Sequence, residues 1–283
     1  MSRSAQSFDS RQSMKNKKFE IFHYRDKKPG SVNMHYHDFY EVYFFLSGQV
    51  SFRVEGTKFD LMHGDLLLIH PMQMHQLQIE EDSAYERYVL WMDRAYLQRL
   101  GGSELDLAAC FASGAPNHLR PSRIARAELG NLLEKLVKEF YGQDIGSSIY
   151  AQGLLQQFMV EINRIVNSAP KKEPQKESPD LAGQILTYIG NHYRENITLE
   201  TLASEFFVSK YYLSHEFSHQ VGTSVYRYVI LRRLLMAREL MAAGHAPGTI
   251  YQNCGFTDYT NFYRAFKSEY GISPRQYFAE FTK

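Results

Sequence analysis

Short apolar runs occupy the first third of this chain, and longer helical stripes occupy the rest. Between Phe19 and Trp91 the runs are aromatic and β-branched. Glu41 to Leu46 and Val50 to Val54 are separated by Ser47-Gly48. Gly56 and His63-Gly64-Asp65 punctuate the next runs, Leu66 to Ile69 stops before Pro71, and Gln76 to Ile79 and Tyr85 to Leu90 follow. Short strands at regular spacing predict a β-sandwich or small barrel. From Arg94 the apolar period becomes helical. Pro121-Ser122 precedes a stripe of Ile124, Leu129, Leu132, Leu133, Leu136, Val137 and Phe140. A second helix over Ser147 to Val166 carries Leu154, Leu155, Phe158, Ile162 and Ile165 on one side. Ser168 to Pro179 then holds three prolines, three lysines and no large apolar residue, the composition of a linker. Everything beyond it has helical periodicity.

Within that last segment one pattern is written twice, 49 residues apart. Ser209, Leu213, His215, Phe217, Gly222 and Ser224 are matched by Asp258, Phe262, Arg264, Phe266, Gly271 and Ser273. Each copy starts on an N-cap residue, buries apolar side chains four and eight positions later, and ends at a glycine suited to a left-handed terminator. Repetition at a fixed offset means one supersecondary unit used twice. Ahead of the first copy, Ile197-Thr198-Leu199-Glu200 starts a helix through Phe207 with Leu199, Leu202, Ala203 and Phe206 apolar, and Val208-Ser209 forms a tight turn. Helix, tight turn and second helix with a polar outer face is the helix-turn-helix plan. A long helix from about Val225 to Ala243 joins this unit to a second one spanning Pro247 to Gly271.

Composition narrows the class. The 283 residues are 44% apolar, enough for two ordinary cores. No apolar run reaches membrane-spanning length, and the Ser- and Lys-rich stretch Met1 to Glu20 lacks a signal-peptide core, so a cytoplasmic protein with a mobile N-terminal arm is expected. Cys110 and Cys254 have neither metal nor redox spacing and are expected to be buried thiols. The net charge is +1, and Leu181 to Lys283 holds ten Lys/Arg against eight Asp/Glu. Non-specific attraction to phosphate should therefore be modest, giving dimerisation more weight in any DNA affinity.

The segment Ile197 to Tyr277 resembles the AraC/XylS family of transcription regulators. The resemblance is carried by Ser209, Tyr212-Leu213-Ser214 and Phe217; by Tyr228, Arg233 and Ala237; and by Gly255-Phe256, Phe262, Arg264-Ala265-Phe266-Lys267, Gly271-Ile272-Ser273-Pro274 and Tyr277. It implies two helix-turn-helix units entering successive major-groove segments of double-stranded DNA. Tyr211, Ser214 and His215 would read bases from the first unit, and Tyr259, Thr260, Tyr263 and Arg264 from the second. Arginine can donate two hydrogen bonds to guanine. Lys210 and Lys267 are expected on phosphates. Two departures from the family pattern stand out: His215 where arginine is frequent, and Tyr251 where a small residue is usual. Ala203 fills the matching place in the first unit.

His35-Tyr36-His37-Asp38-Phe39-Tyr40-Glu41 followed by Gly48, then Gly64-Asp65, Pro71 and His75, resembles the two motifs of the cupin barrel. His35 and His37 lie two apart on one strand, Glu41 keeps their parity, and His75 can return on a later strand. Three imidazoles and a carboxylate suit a transition metal, and in enzymatic cupins such a set carries dioxygenase or isomerase chemistry. Three readings are open. The four residues hydrogen-bond a polar effector without metal, they hold a divalent metal, or they are satisfied structurally at a barrel end. The family resemblance implies a carbohydrate effector, for which Tyr43 and Trp91 offer stacking faces and no cofactor is required.

The expected architecture is α+β, with a cupin-like barrel carrying appended helices and an all-α domain of two helix-turn-helix units joined by a long helix. Its parts are a flexible arm (1–18), an effector-binding barrel (19–120), helices that the resemblance implies form a homodimer interface (121–167), a linker (168–180) and a DNA-binding domain (181–283). The expected function is a non-enzymatic, effector-controlled activator that meets RNA polymerase and no membrane. Rival readings are a cupin metalloenzyme with a helical accessory domain and a constitutive DNA-binding protein with a vestigial barrel.

Overall fold

The computed structural model describes residues 13–26, 32–79, 84–112, 114–168 and 180–281. It divides into two compact units, Met1–Glu177 and Ser178–Lys283. Residues 1–12 of the expected arm and 169–179 of the expected linker lie outside the described residues.

The first unit contains β1 (Phe19–Asp26), β2 (Val32–His35), β3 (Tyr40–Ser47), β4 (Val50–Val54), β5 (Thr57–Asp60), β6 (Leu66–Ile69), β7 (His75–Ile79), β8 (Tyr85–Met92) and β9 (His118–Leu119). They form two antiparallel sheets with orders β1-β8-β3-β6-β9 and β2-β7-β4-β5. Strand alternation sends successive side chains to opposite faces, and both faces of the five-stranded sheet are covered. On β3, Tyr40, Val42 and Phe44 join a core shared with the helices, whereas Tyr43 and Phe45 join the core shared with the four-stranded sheet. Double burial explains why these strands are continuous apolar runs rather than alternating ones.

Three helices follow: α1 (Arg94–Leu100), α2 (Arg123–Phe140) and α3 (Ser147–Ser168). Leu129, Leu132, Leu133 and Leu136 of α2 and Leu154, Leu155, Phe158, Met159 and Ile162 of α3 are buried against the outer sheet face. Much of the leucine and isoleucine of this region is therefore spent on one chain's own core. Ile124, Ile145, Ile149 and Tyr150 remain exposed. The described part of the N-terminal segment is held down. Met14 packs on the inner core, and the backbone N–H groups of Lys15 and Asn16 donate to the Glu20 carboxylate.

The second unit contains α4 (Leu181–His192), α5 (Leu199–Glu205), α6 (Lys210–Val221), α7 (Val225–Ala242), α8 (Pro247–Ile250), α9 (Tyr259–Tyr270) and α10 (Pro274–Phe281). Both repeated helices are capped as their sequences require. The Ser209 side chain accepts from the Tyr212 N–H, the Asp258 side chain from the Asn261 N–H, and Gly222 and Gly271 close them at φ 73° and 74°. The helices ahead of them fall short of expectation. α5 ends at Glu205 rather than Phe207, and α8 is a single turn. Each is stopped by a residue at positive φ, Phe207 at 55° and Gly255 at 87°. The following N–H reaches back five residues in each unit, Val208 to the Ala203 carbonyl and Phe256 to the Tyr251 carbonyl, both at 3.0 Å. Ala203 and Tyr251 are therefore structural counterparts, 48 apart, while the recognition helices are 49 apart. The second turn is one residue longer. Among the described residues, no helix is long and apolar enough to cross a membrane.

Candidate effector pocket and nucleic-acid interface

The two inner sheet faces bring together most of the polar residues expected at the barrel end. His37 Nε2 lies 2.7 Å from Glu41 Oε2, and His75 Nε2 lies 3.9 Å from the same oxygen. His37, Glu41 and His75 are all buried, and their ligand atoms lie within 4.8 Å of one another. The route to this cluster differs from the parity argument. β2 ends at His35, so His37 sits in the connection that crosses to the other sheet, and Glu41 belongs to that second sheet. His35 instead faces His75, ring centroids 4.1 Å apart, and is only partly buried. It lies outside this buried group, whose three members come from the crossing, β3 and β7.

Each imidazole is oriented from behind by a backbone carbonyl. Asn33 O accepts from His35 Nδ1 at 2.9 Å, Phe39 O from His37 Nδ1 at 3.0 Å and Gln73 O from His75 Nδ1 at 2.9 Å. Burial, reinforced by the neighbouring His35 and His37, pushes His75 well below the usual imidazole range. Burial likewise lowers His35.

The aromatic faces expected to stack a sugar are engaged with other rings. Trp91 sits edge-on to Phe22 at 5.0 Å and against Phe39 at 4.8 Å, and Tyr43 packs on Phe52 at 5.2 Å. Register places Trp91 directly between Glu20 and Glu41 across β1, β8 and β3. Glu20 was not among the expected pocket residues, although a carboxylate within an apolar strand is the signal that marks it. Among the described residues, the hydroxyls of Tyr43 and Tyr85 are buried and have no hydrogen-bond partner. A separate cleft of about 630 Å³, lined by Phe44, Tyr88, Arg126 and Gly130 among others, lies on the opposite sheet face beside α2.

On the DNA-binding unit, Tyr211, His215 and His219 project from α6 as one exposed row. Their rings stack at centroid spacings of 6.3 and 6.4 Å. His219 follows from the four-residue spacing and was not singled out in the sequence. Ser214 is half-buried beside this row. Lys210 is exposed and pairs with Glu200 at 2.6 Å, a contact that a phosphate would have to displace. On α9, Thr260, Arg264 and Lys267 are exposed and Tyr263 is half-buried. Tyr259 is 38% exposed, with its ring edge-on to Tyr251 at 5.9 Å. The large residue at the helix crossing thus buttresses the first turn of the recognition helix.

Arg233 links the two reading units. From α7 its guanidinium donates to the carbonyls of Tyr193 and Glu195, both at 2.7 Å, just beyond α4. Gly255 lies against the same place, since a Cβ there would stand 2.6 Å from Tyr193 O and 2.9 Å from Arg233 Nε. The thiols of Cys110 and Cys254 are buried, and burial pushes both up to about 12.

Comparison with known proteins matches residues 18–159 to the AraC-like ligand binding domain and residues 202–280 to a helix-turn-helix domain. The chain is similar to the HTH-type transcriptional activator RhaS of Salmonella arizonae, 24% identical over 242 residues and 85% of each chain. Its similarity to the RhaS of Escherichia fergusonii is 24% over 248 residues and 87% of each. Among solved structures it is similar to ToxT from Vibrio cholerae, with 16% identity and TM-score 0.39 over 94% of this chain and all of that one. The C-terminal domain of AraT from Geobacillus stearothermophilus matches 36% of this chain and 85% of its own, with 28% identity and TM-score 0.35.

Proposed function

Because this chain belongs to the AraC family, joining an AraC-like ligand-binding domain to a helix-turn-helix domain, we propose that it is a cytoplasmic transcription activator switched by a carbohydrate bound between its two β-sheets. The family consists of regulators rather than enzymes. The observation that carries the effector reading is the set of buried polar atoms facing one interior. Among the described residues, His75 Nε2 and the Tyr43 and Tyr85 hydroxyls have no hydrogen-bond partner, and the Glu41 carboxylate lies among them. A buried polar atom left unsatisfied costs about 1–3 kcal/mol. A polyol, whose hydroxyls both donate and accept, satisfies acceptors and donors in one pocket.

DNA is read by Tyr211, Ser214 and His215 on α6 and by Tyr259, Thr260, Tyr263 and Arg264 on α9, with Lys210 and Lys267 on phosphates. Exposed Ile145, Ile149 and Tyr150 around the start of α3 supply an apolar surface for a second copy of the chain. Two-fold pairing would set two pairs of reading heads on repeated half-sites. The effector shifts the packing of the barrel, its N-terminal segment and the dimer helices, and with it the geometry offered to DNA and RNA polymerase.

A thermal-shift screen of the full chain against a sugar panel tests the effector reading. One sugar is expected to raise the melting temperature of wild type and to have no effect on Glu41→Gln. A protein that no polyol stabilises, yet that binds its operator, has a vestigial barrel.

A further inference from the structure

We infer that His215 and His219 form a clamp on α6 for one divalent cation of the copper, nickel or zinc class, and that filling it withdraws His215 from DNA. The two residues are one helical turn apart, so they share a face with Cβ atoms about 5–6 Å apart. Both side chains are exposed, and their rings stand parallel, 3° between planes and 6.4 Å between centroids. Neither imidazole is hydrogen-bonded or ion-paired among the described residues, so its nitrogens are open to a ligand. Glu216, the one carboxylate between them in sequence, is engaged with Gln220. Tyr211 stacks on His215 at 6.3 Å, so that ring has an aromatic face upstream and His219 downstream.

Histidines four residues apart on a helix are the spacing that presents two imidazole nitrogens to one zinc ion. Metal bonds of about 2.0–2.1 Å call for nitrogens closer together than the present ring spacing. Exposed side chains reach that by rotating between staggered rotamers, with no buried contact to break. Imidazole donors favour copper, nickel and zinc, and leave magnesium and calcium to oxygen ligands. With two protein donors the remaining positions go to water, so the cation exchanges with solvent and is no structural cross-link. The consequence for DNA rests on the reading of His215 as a base contact. A nitrogen bound to metal no longer hydrogen-bonds a base edge, which removes sequence-dependent energy. The added positive charge instead attracts phosphates whatever the sequence. Occupancy therefore lowers discrimination between operator and other DNA. At the positions matching His215 and His219, α9 carries Arg264 and Ser268, so the cation acts on the first reading head alone.

The full-length protein is stripped with chelator and titrated with nickel(II) in equilibrium dialysis. His215→Ala and His219→Ala are each expected to bind one nickel fewer per chain than wild type. The double variant is expected to lose no more than either single one, because two halves of one clamp fail together. His245→Ala, at an exposed histidine with no second histidine one turn away, is expected to match wild type. Nickel held elsewhere is common to every variant and cancels. Alanine is the best helix former, and circular dichroism checks that helix content is kept. Single variants that bind as much nickel as wild type overturn the clamp, as does a double variant that loses twice what one loses. Operator titrations then read the consequence. Nickel is expected to lower the wild-type ratio of operator to random-sequence affinity about two- to tenfold, the worth of one hydrogen bond. The ratio for His219→Ala stays at its own nickel-free value, and magnesium moves neither. If nickel leaves the wild-type ratio unmoved while nickel-free His215→Ala has a lower one, the withdrawal of His215 is overturned. If His215→Ala keeps the wild-type ratio, the base-reading role of His215 fails and the coupling to DNA with it, while the dialysis result on the clamp stands.

Discussion

Phe207 and Gly255 occupy the same structural place with opposite chemistry. Both end the first helix of a reading unit at positive φ, a conformation that costs an L-residue about 1–2 kcal/mol and glycine little. Phe207 is also 94% exposed, so burial returns nothing for that strain. Phe207→Gly is therefore expected to raise the melting temperature, by an amount equivalent to about 1 kcal/mol after glycine's entropy cost. Gly255→Ala has the opposite sign. Its Cβ would meet Tyr193 O at 2.6 Å and disturb the Arg233 contacts, and a loss on the order of 2–4 kcal/mol is expected from strain and the broken contacts together. Thermal unfolding of both variants checks the pair. Gly255 was legible as a terminator because glycine is the usual occupant of that conformation. Phe207 was not, because nothing in an aromatic residue's neighbours announces a left-handed backbone.

At the scale of elements, the caps and apolar stripes of α6 and α9 were legible because both signals are local. Ser209, Asp258, Gly222 and Gly271 each act within one helical turn of themselves. The unequal turns were hidden, since a one-residue insertion between helices leaves each helix's own pattern intact. The buried cluster of His37, Glu41 and His75 was only half legible. The residue types named the chemistry, but the chain crosses from one sheet to the other between His35 and Glu41, which no parity count detects. For DNA reading, the two helices present different edges: α6 an exposed row of Tyr211, His215 and His219, and α9 an exposed Arg264. Arg264→Ala is expected to cost about 1–3 kcal/mol on the cognate operator and to relax preference at one base pair. His215→Ala is expected to cost less, because an imidazole offers a single donor where a guanidinium offers two in a fixed fork. Binding titrations on operators randomised at each position check both. Uniform weakening across all sequences would make Arg264 a phosphate contact.

At the scale of the whole molecule, two units with separate cores should melt in two transitions, and a buried carboxylate makes one of them acid-sensitive. Asp65 precedes β6 and is 1% exposed. It accepts from His118 Nε2 and Arg120 at 2.9 Å and from the Met62 N–H at 3.0 Å, tying β9 and the approach to α2 onto the five-stranded sheet. Burial alone would raise its pKa, but the hydrogen bonds from His118, Arg120 and Met62 outweigh burial and hold it below the usual carboxylate value. A depressed folded-state pKa means that the unfolded chain binds the proton more readily than the folded one. The contribution to stability is therefore complete above the unfolded value of about 3.9 and is lost as the pH falls through the lower folded value. Asp65→Asn should remove that acid-dependent part at once, lowering the first unit's transition at neutral pH by the equivalent of about 3 kcal/mol and flattening its decline below pH ~4. Calorimetry with and without operator DNA assigns the transitions, because DNA raises only the unit that binds it. If the DNA-shifted transition moves on Asp65→Asn while the other stays, the two cores are not independent, and effector control could then pass through shared packing rather than through a change in how separately folded units are arranged.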